Sequence, residues 1–309
     1  MSPPPGAPVG GVVPVAPTIF HPDGSLDLEG QRRTLDFLVD AGSDAICVLA
    51  NWSEQFALSD VERERLTDLA LEQVNGRLPV VVTTSHFSTR VAAERSRRAE
   101  AAGASLVMLM APYHGATIRA GEAAIRAYFA GVADGLNIPV VVQDAPMSGA
   151  VLSAELLADL AHAIPNVRYV KLEQPDAADK LRALLRLAGD VIDGPWDGEE
   201  SITLIADLDA GATGTMPGGV IPEILGEVVR RHRGGDRAAA VELYERWLPL
   251  INWENKHGGL QTTKALLMEG GIIASDAVRA PLAPMSHELR AGLVDLARRL
   301  APLILGWAE

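Results

Sequence analysis

Short runs of β-branched and other apolar residues alternate with amphipathic stretches along most of the chain, and this alternation constrains the fold more than any other feature. The apolar runs begin near Val12, Ala45, Pro79, Leu106, Pro139, Tyr169, Val191 and Gly214. Between them, stretches such as residues 60–74 and 92–102 carry apolar side chains at three- and four-residue spacing, the period of a helix with one buried face. Ser59-Asp60-Val61-Glu62 and Ser153-Ala154-Glu155 read as helix starts, a capping hydroxyl followed by early acids. Strand–helix alternation predicts a parallel sheet covered by helices. Eight such units close most economically as a (β/α)8 TIM barrel of the α/β class. The glycine fingerprint of an open nucleotide-binding sheet is missing after the first strand. The expected layout is a disordered lead over residues 1–9, the catalytic barrel over 10–235, and an all-α C-terminal extension over 236–309. Three helices are expected in the extension, at 236–251, 259–270 and 286–307.

The length of 309 residues fits this layout, since a barrel of this kind takes about 250 residues. Lys and Arg total 27 against 40 Asp and Glu, a net charge of −13, which argues against nucleic acid or an anionic membrane as the main partner. A few local donors still suffice for an anionic metabolite. The one cysteine, Cys47, rules out an intramolecular disulfide and fits a reducing compartment; its apolar neighbours mark it as a packed core thiol. No apolar run approaches the ~18 residues of a membrane helix, and the N-terminus lacks the pattern of a secretory signal, so the expected location is the cytoplasm.

In a barrel of this type, chemistry sits at the C-terminal ends of the strands. Most informative there is Tyr169-Val170-Lys171-Leu172-Glu173. A lysine ending a buried strand is partly desolvated, which favours the neutral amine that attacks a ketone. Strand periodicity places Lys171 and Glu173 on one face, towards the barrel mouth. An amine beside a carboxylate suits imine formation followed by proton transfer; a structural ion pair at a strand end is the plain alternative. Gly214 and Gly218-Gly219 permit close backbone approach, so amides near Thr215 are candidates for a substrate hydroxyl or carboxylate, or simply form tight turns. His86, His114 and Glu54 come from different strand ends without ligand spacing, so no metal site is expected. The acids after the seventh strand, Glu199 and Glu200, read as helix capping with a solvated face.

From about Gly11 to the C-terminus the chain resembles the dihydrodipicolinate synthase and N-acetylneuraminate lyase superfamily, Schiff-base barrels with a helical C-terminal extension. The resemblance implies that Lys171 is the imine-forming lysine at the end of the sixth strand. Ala50-Asn51-Trp52-Ser53-Glu54 answers to the superfamily's G-T-T-G-E loop and Pro112-Tyr113-His114 to its P-Y-Y segment. Gln143-Asp144-Ala145-Pro146-Met147-Ser148-Gly149 answers to its Y-N-V-P-x-R-T-G segment. Gln143 therefore replaces the proton-relaying tyrosine, Asn51 and Trp52 replace its supporting threonines, and Ser148 replaces the arginine that receives a second carboxylate. Glu173 is an addition where the synthase carries a small residue. These departures argue against dihydrodipicolinate synthesis and require another acid/base.

Within the superfamily, Leu49 to Phe56, Thr83-Thr84-Ser85-His86 and Gly194-Pro195-Trp196-Asp197-Gly198-Glu199-Glu200 are similar to a branch that dehydrates 2-keto-3-deoxy sugar acids. The resemblance implies a hydro-lyase converting 2-keto-3-deoxy-L-arabinonate to 2-oxoglutarate semialdehyde in non-phosphorylated L-arabinose catabolism. It implies no cofactor and no metal, and a homotetramer built as a dimer of dimers. Lys171 forms the imine and Glu173 removes the C3 proton, with Tyr113 or His86 as an accessory acid. Asn51 and Ser53 with nearby amides are candidates for the carboxylate, Gln143 for a hydroxyl, and His114, Thr215 and Gly214 complete the expected substrate contacts. A pyruvate-releasing aldolase using the same imine is the enzymatic alternative; a sugar-acid sensor whose lysine only pairs a charge is the non-enzymatic one.

Overall fold

The computed structural model describes residues 8–114 and 118–308, without the side chains of residues 114, 118 and 119. Residues 1–7 of the expected lead lie outside the described part. Eight parallel strands form one sheet: β1 (Gly11–Val12), β2 (Ile46–Val48), β3 (Val80–Thr83), β4 (Leu106–Met110), β5 (Val140–Asp144), β6 (Val167–Leu172), β7 (Gly194–Asp197) and β8 (Gly214–Thr215). Their spatial order is β1-β8-β7-β6-β5-β4-β3-β2. Just past β1, Cys47 N donates to Pro14 O at 2.9 Å and Ala16 N to Cys47 O at 2.8 Å, so the sheet closes on itself. Burial on both faces explains why runs such as Val-Val-Val-Thr and Leu-Val-Met-Leu-Met show no polar alternation.

Seven helices follow strands β1 to β7: α1 (Leu28–Asp40), α2 (Asp60–Val74), α3 (Thr89–Ala102), α4 (Glu122–Ala133), α5 (Ala154–Ala163), α6 (Ala177–Ala188) and α7 (Leu204–Asp209). An eighth, α8 (Pro222–Arg233), follows β8. The two helix starts expected from the sequence are built as read. Ser59 and Glu62 form a reciprocal capping box on α2, and the Ser153 hydroxyl accepts from Leu156 N on α5. Beyond residue 235 the chain is helical: α9 (Arg237–Trp253), a π-helical turn (Glu254–Gly258), α10 (Leu260–Glu269) and α11 (His287–Leu300). The last helix stops seven residues short of the expected 307, because Ala301 turns left-handed at φ 53° and Pro302 cannot continue a helix. Among the described residues, no helix is long and apolar enough to cross a membrane.

Two apolar layers result. One lies between strands and helices, and the other fills the barrel with Val13, Cys47, Val81, Met108, Val141, Tyr169, Trp196 and Met216. Burial pushes the Cys47 thiol up to about 11, so it packs as an inert core group. The barrel floor is sealed by Tyr169 and Trp196, whose rings lie 4.8 Å apart, and by Val9, whose N–H donates to the Tyr169 hydroxyl oxygen and whose carbonyl accepts from the Trp196 indole N–H. With the floor closed, interior positions one layer higher face the open mouth.

Candidate active site

Lys171 is one such position, two residues beyond Tyr169 on β6 and buried. Its Nζ lies 2.9 Å from Glu173 Oε1. The same oxygen accepts from Gln143 Nε2 at 2.8 Å. Gln143 is the register partner of Lys171 on the neighbouring strand, so the sheet itself fixes this triangle. Glu173 stands just past the strand end, its N–H bonded to Asp144 O at 3.1 Å. Gly198 leaves it room, since a Cβ there would lie 2.5 Å from Glu173 Cγ. Gln143 Oε1 is buried and has no partner among the described residues, an acceptor held ready for a donor from elsewhere.

The electrostatics of Lys171 differ from the expectation. Burial does pull its pKa down, but the charge and hydrogen bond of Glu173 outweigh burial and hold the ammonium above the ordinary lysine range. The lysine rests charged, and its proton must leave before it attacks a carbonyl.

Lys171, Glu173 and Gln143 line a cavity of about 250 Å3 at the barrel mouth, together with Asn51, Trp52, Glu199, Glu200, Asn255 and Lys256. Asn51 is tied by Gln55 Nε2 to its Oδ1 at 2.6 Å. Trp52 Nε1 and Asn255 Oδ1 are buried and unpaired among the described residues. Asn255 and Lys256 were not singled out in the sequence, and neither Trp52 nor Glu200 was expected among the substrate contacts. Asn255 and Lys256 arrive from the π-helical turn, whose place beside the barrel mouth no local pattern encodes. Glu200 departs from the solvated capping role expected for it: burial pushes its carboxyl up to about 7, the nearby Lys171 only partly opposing this.

Other expected site residues lie elsewhere. His86 and Tyr113 line a second cavity, of about 330 Å3, with Arg63, Ser85 and Arg95, because both stand three residues beyond their strand ends and are carried outward by the loops. Burial and the Arg95 guanidinium hold the His86 imidazolium below the ordinary histidine range. The side chain of His114 lies outside the described part. Ser53 is turned away from the cavity: its hydroxyl donates to Ala16 O at 2.6 Å and accepts from Ala50 N at 3.1 Å. Thr215 is fully buried and bonds the Asp197 carboxylate and, at 2.6 Å, the Ser201 hydroxyl. Gly214 serves strand packing, since a Cβ would meet Gly11 O at 2.2 Å. Glu54 is buried and paired with Lys264. Among the described residues, no cluster of three or more His, Cys, Asp or Glu is arranged to hold a metal ion.

The dihydrodipicolinate synthetase family model matches residues 8–300 of this chain. The L-2-keto-3-deoxyarabonate dehydratase of Azospirillum brasilense is 54% identical over 299 residues, which cover 97% of either chain. A prophage protein of the dihydrodipicolinic acid synthase family from E. coli, solved in complex with pyruvate, superposes with a TM-score of 0.87 at 26% identity, covering 95% of this chain and 99% of its own. A dihydrodipicolinate synthase from Aquifex aeolicus shares the fold with a TM-score of 0.88 at 24% identity, over 95% of this chain and 98% of its own.

Proposed function

The chain belongs to the dihydrodipicolinate synthetase family, and from that premise we propose that it is a Schiff-base hydro-lyase dehydrating 2-keto-3-deoxy-L-arabinonate to 2-oxoglutarate semialdehyde in non-phosphorylated L-arabinose catabolism. The observation that carries this reading is the Lys171–Glu173–Gln143 triangle, an amine and an amide meeting on one carboxylate oxygen inside a cavity. The likeness to a dehydratase of the same sugar acid supports the substrate.

The substrate's C2 ketone enters beside Lys171. The ammonium passes its proton to Glu173, 2.9 Å away, and the amine adds to C2. Protonated Glu173 returns that proton to the departing C2 oxygen, leaving an iminium and a carboxylate. The iminium draws electrons from C3, and Glu173 removes a C3 proton to give an enamine. The enamine expels the C4 hydroxyl, which leaves as water with the proton from Glu173. The imine is itself the electron sink, so no cofactor is called for. Gln143 Oε1 accepts from a substrate hydroxyl, and Trp52 Nε1 and Asn51 contact the carboxylate. Among the described residues the lining cations are Lys171 and Lys256, and no arginine lines the cavity to receive a second carboxylate, which disfavours condensation with aspartate semialdehyde. The proposed assembly is a homotetramer of the family kind, in which Phe56, 58% exposed, is apolar surface that a second copy would cover.

Borohydride in the presence of pyruvate or substrate tests the imine. Reduction should inactivate the protein and add one ligand mass at Lys171, and Lys171→Ala should neither trap nor turn over. Activity retained after this treatment would exclude the mechanism. Release of pyruvate from the sugar acid would instead identify an aldolase.

A further inference from the structure

The proposed dehydration needs protons moved at both ends of a five-carbon chain, and Glu173 is tied to the end that carries the imine. A second carboxylate lines the same cavity. It is presented by the turn after β7, where Glu199, Glu200 and Ser201 have φ of 47°, 56° and 69°. Three successive residues with side chains in the left-handed region are disfavoured sterically. Such a turn persists only where its surroundings over-determine it, and strain of this kind gathers at functional sites.

The surroundings do over-determine it. The Ser201 hydroxyl bonds Thr215 Oγ1 at 2.6 Å, which in turn bonds Asp197. Tyr244 donates to Ser201 O at 3.1 Å and to Ile202 O at 2.5 Å. Asn255 Nδ2 donates to Glu199 O and to Glu200 Oε2, both at 3.0 Å. The product of this bracing is a half-buried carboxylate held at the cavity wall, beside the unpaired Oδ1 of Asn255.

We propose that Glu200 is a second catalytic acid/base, acting at the C5 end of the substrate. This rests on the dehydratase reading. After water has left, the iminium is conjugated with a C3–C4 double bond. Glu200 takes a proton from C5; the C5–H pair becomes the C4–C5 double bond, the C3–C4 pair moves to C2–C3, and the C2–N pair returns to nitrogen. The resulting enol donates its O–H proton through water to Glu173, its oxygen forms the C5 carbonyl, and Glu200 returns its proton to C4. Glu173 then protonates C3, and hydrolysis of the imine frees Lys171. The protons balance, with one water lost at C4.

A carboxyl pushed up to about 7, mainly by burial, with Glu173 and Glu199 adding to the effect and Lys171 opposing it, takes and returns protons readily near neutrality. The titratable groups around it are Lys171 on β6, Glu173 just past that strand, Glu199 in its own turn, and Glu254 and Lys256 on the π-helical turn, with Asp207 acting on Glu199.

The test compares Glu200→Gln with the wild type in two reactions. Pyruvate has no C4 or C5, so its borohydride trapping at Lys171 and the exchange of its methyl protons in deuterated water should proceed in Glu200→Gln as in the wild type. Aldehyde release from the sugar acid should fall by about 10²–10⁴-fold, with borohydride now trapping an adduct one water lighter than the intact substrate. Aldehyde release at the wild-type rate would overturn the proposal. So would parallel loss of pyruvate exchange, because Glu200 would then act on the site as a whole. A wild-type protein that traps pyruvate but yields no aldehyde would overturn the dehydratase reading and this role with it.

Discussion

At Lys171 burial and charge oppose one another, and Glu173 decides the outcome. Its carboxylate holds the lysine as an ammonium, so removing the charge should hand control to burial. In Glu173→Gln the lysine pKa should fall, and the pH at which borohydride traps half of the protein with pyruvate should move to lower pH than in the wild type. Turnover should nevertheless drop by about 10²–10⁴-fold, the usual size of a general acid/base contribution. An unmoved trapping profile would mean that Glu173 does not set the charge of Lys171; normal turnover would place the acid/base elsewhere. Lys171 and Glu173 were legible in the sequence because a strand's two-residue period fixes which side chains share a face, whereas Gln143 was singled out only through the resemblance to the superfamily. The direction of the lysine's pKa was not, since it depends on a 2.9 Å contact that periodicity cannot supply. His86 and Tyr113 stand past the ends of their strands, where that period no longer governs, and their placement in a second cavity was invisible for the same reason.

Between elements, the most telling contact is a buried ion pair across 210 residues. Glu54, in the turn after β2, and Lys264, on α10, are both shielded from solvent. Lys264 also donates to Ala277 O at 2.9 Å and lies 4.6 Å from the Phe20 ring centroid, while Glu54 accepts from Arg279 N at 2.9 Å. The pair thus ties the loop beside the cavity to the C-terminal helices. Removing one partner leaves a buried charge uncompensated, so Lys264→Met should destabilise the protein by about 3–5 kcal/mol. Chemical denaturation measures it, and adding Glu54→Gln should restore part of the loss, because the remaining group is then neutral and still hydrogen-bonded. A loss below about 1 kcal/mol would show that water reaches the pair. Sequence reasoning weighed Glu54 as a metal ligand and passed over Lys264. Nothing local to either residue says that they meet.

Across the whole molecule, barrel and extension share one apolar cluster, and this bears on the proposed division at residue 235. Trp247, Leu250, Ile251, Leu266 and Leu267 are buried in the same cluster as Leu35, Leu38 and Leu225. Trp307 meets Phe37 edge-on at 5.9 Å, and Tyr244 braces the turn that carries Glu200. The alternation that made the barrel legible ends where these helices begin, and amphipathic periodicity gave their existence but not the surface they cover. Each large apolar side chain of the barrel uncovered by removing them forfeits about 1.5–3 kcal/mol, against a total margin of about 5–15 kcal/mol for a folded domain. A few such losses cancel the margin. A chain ending at residue 235 should therefore retain helical far-ultraviolet dichroism at most, lose its near-ultraviolet signal, bind hydrophobic dye and fail to trap pyruvate. A monodisperse 1–235 chain that melts cooperatively and still traps pyruvate would overturn this. The barrel would then stand alone, and the extension's contribution would shrink to the two side chains, Asn255 and Lys256, that it places in the cavity.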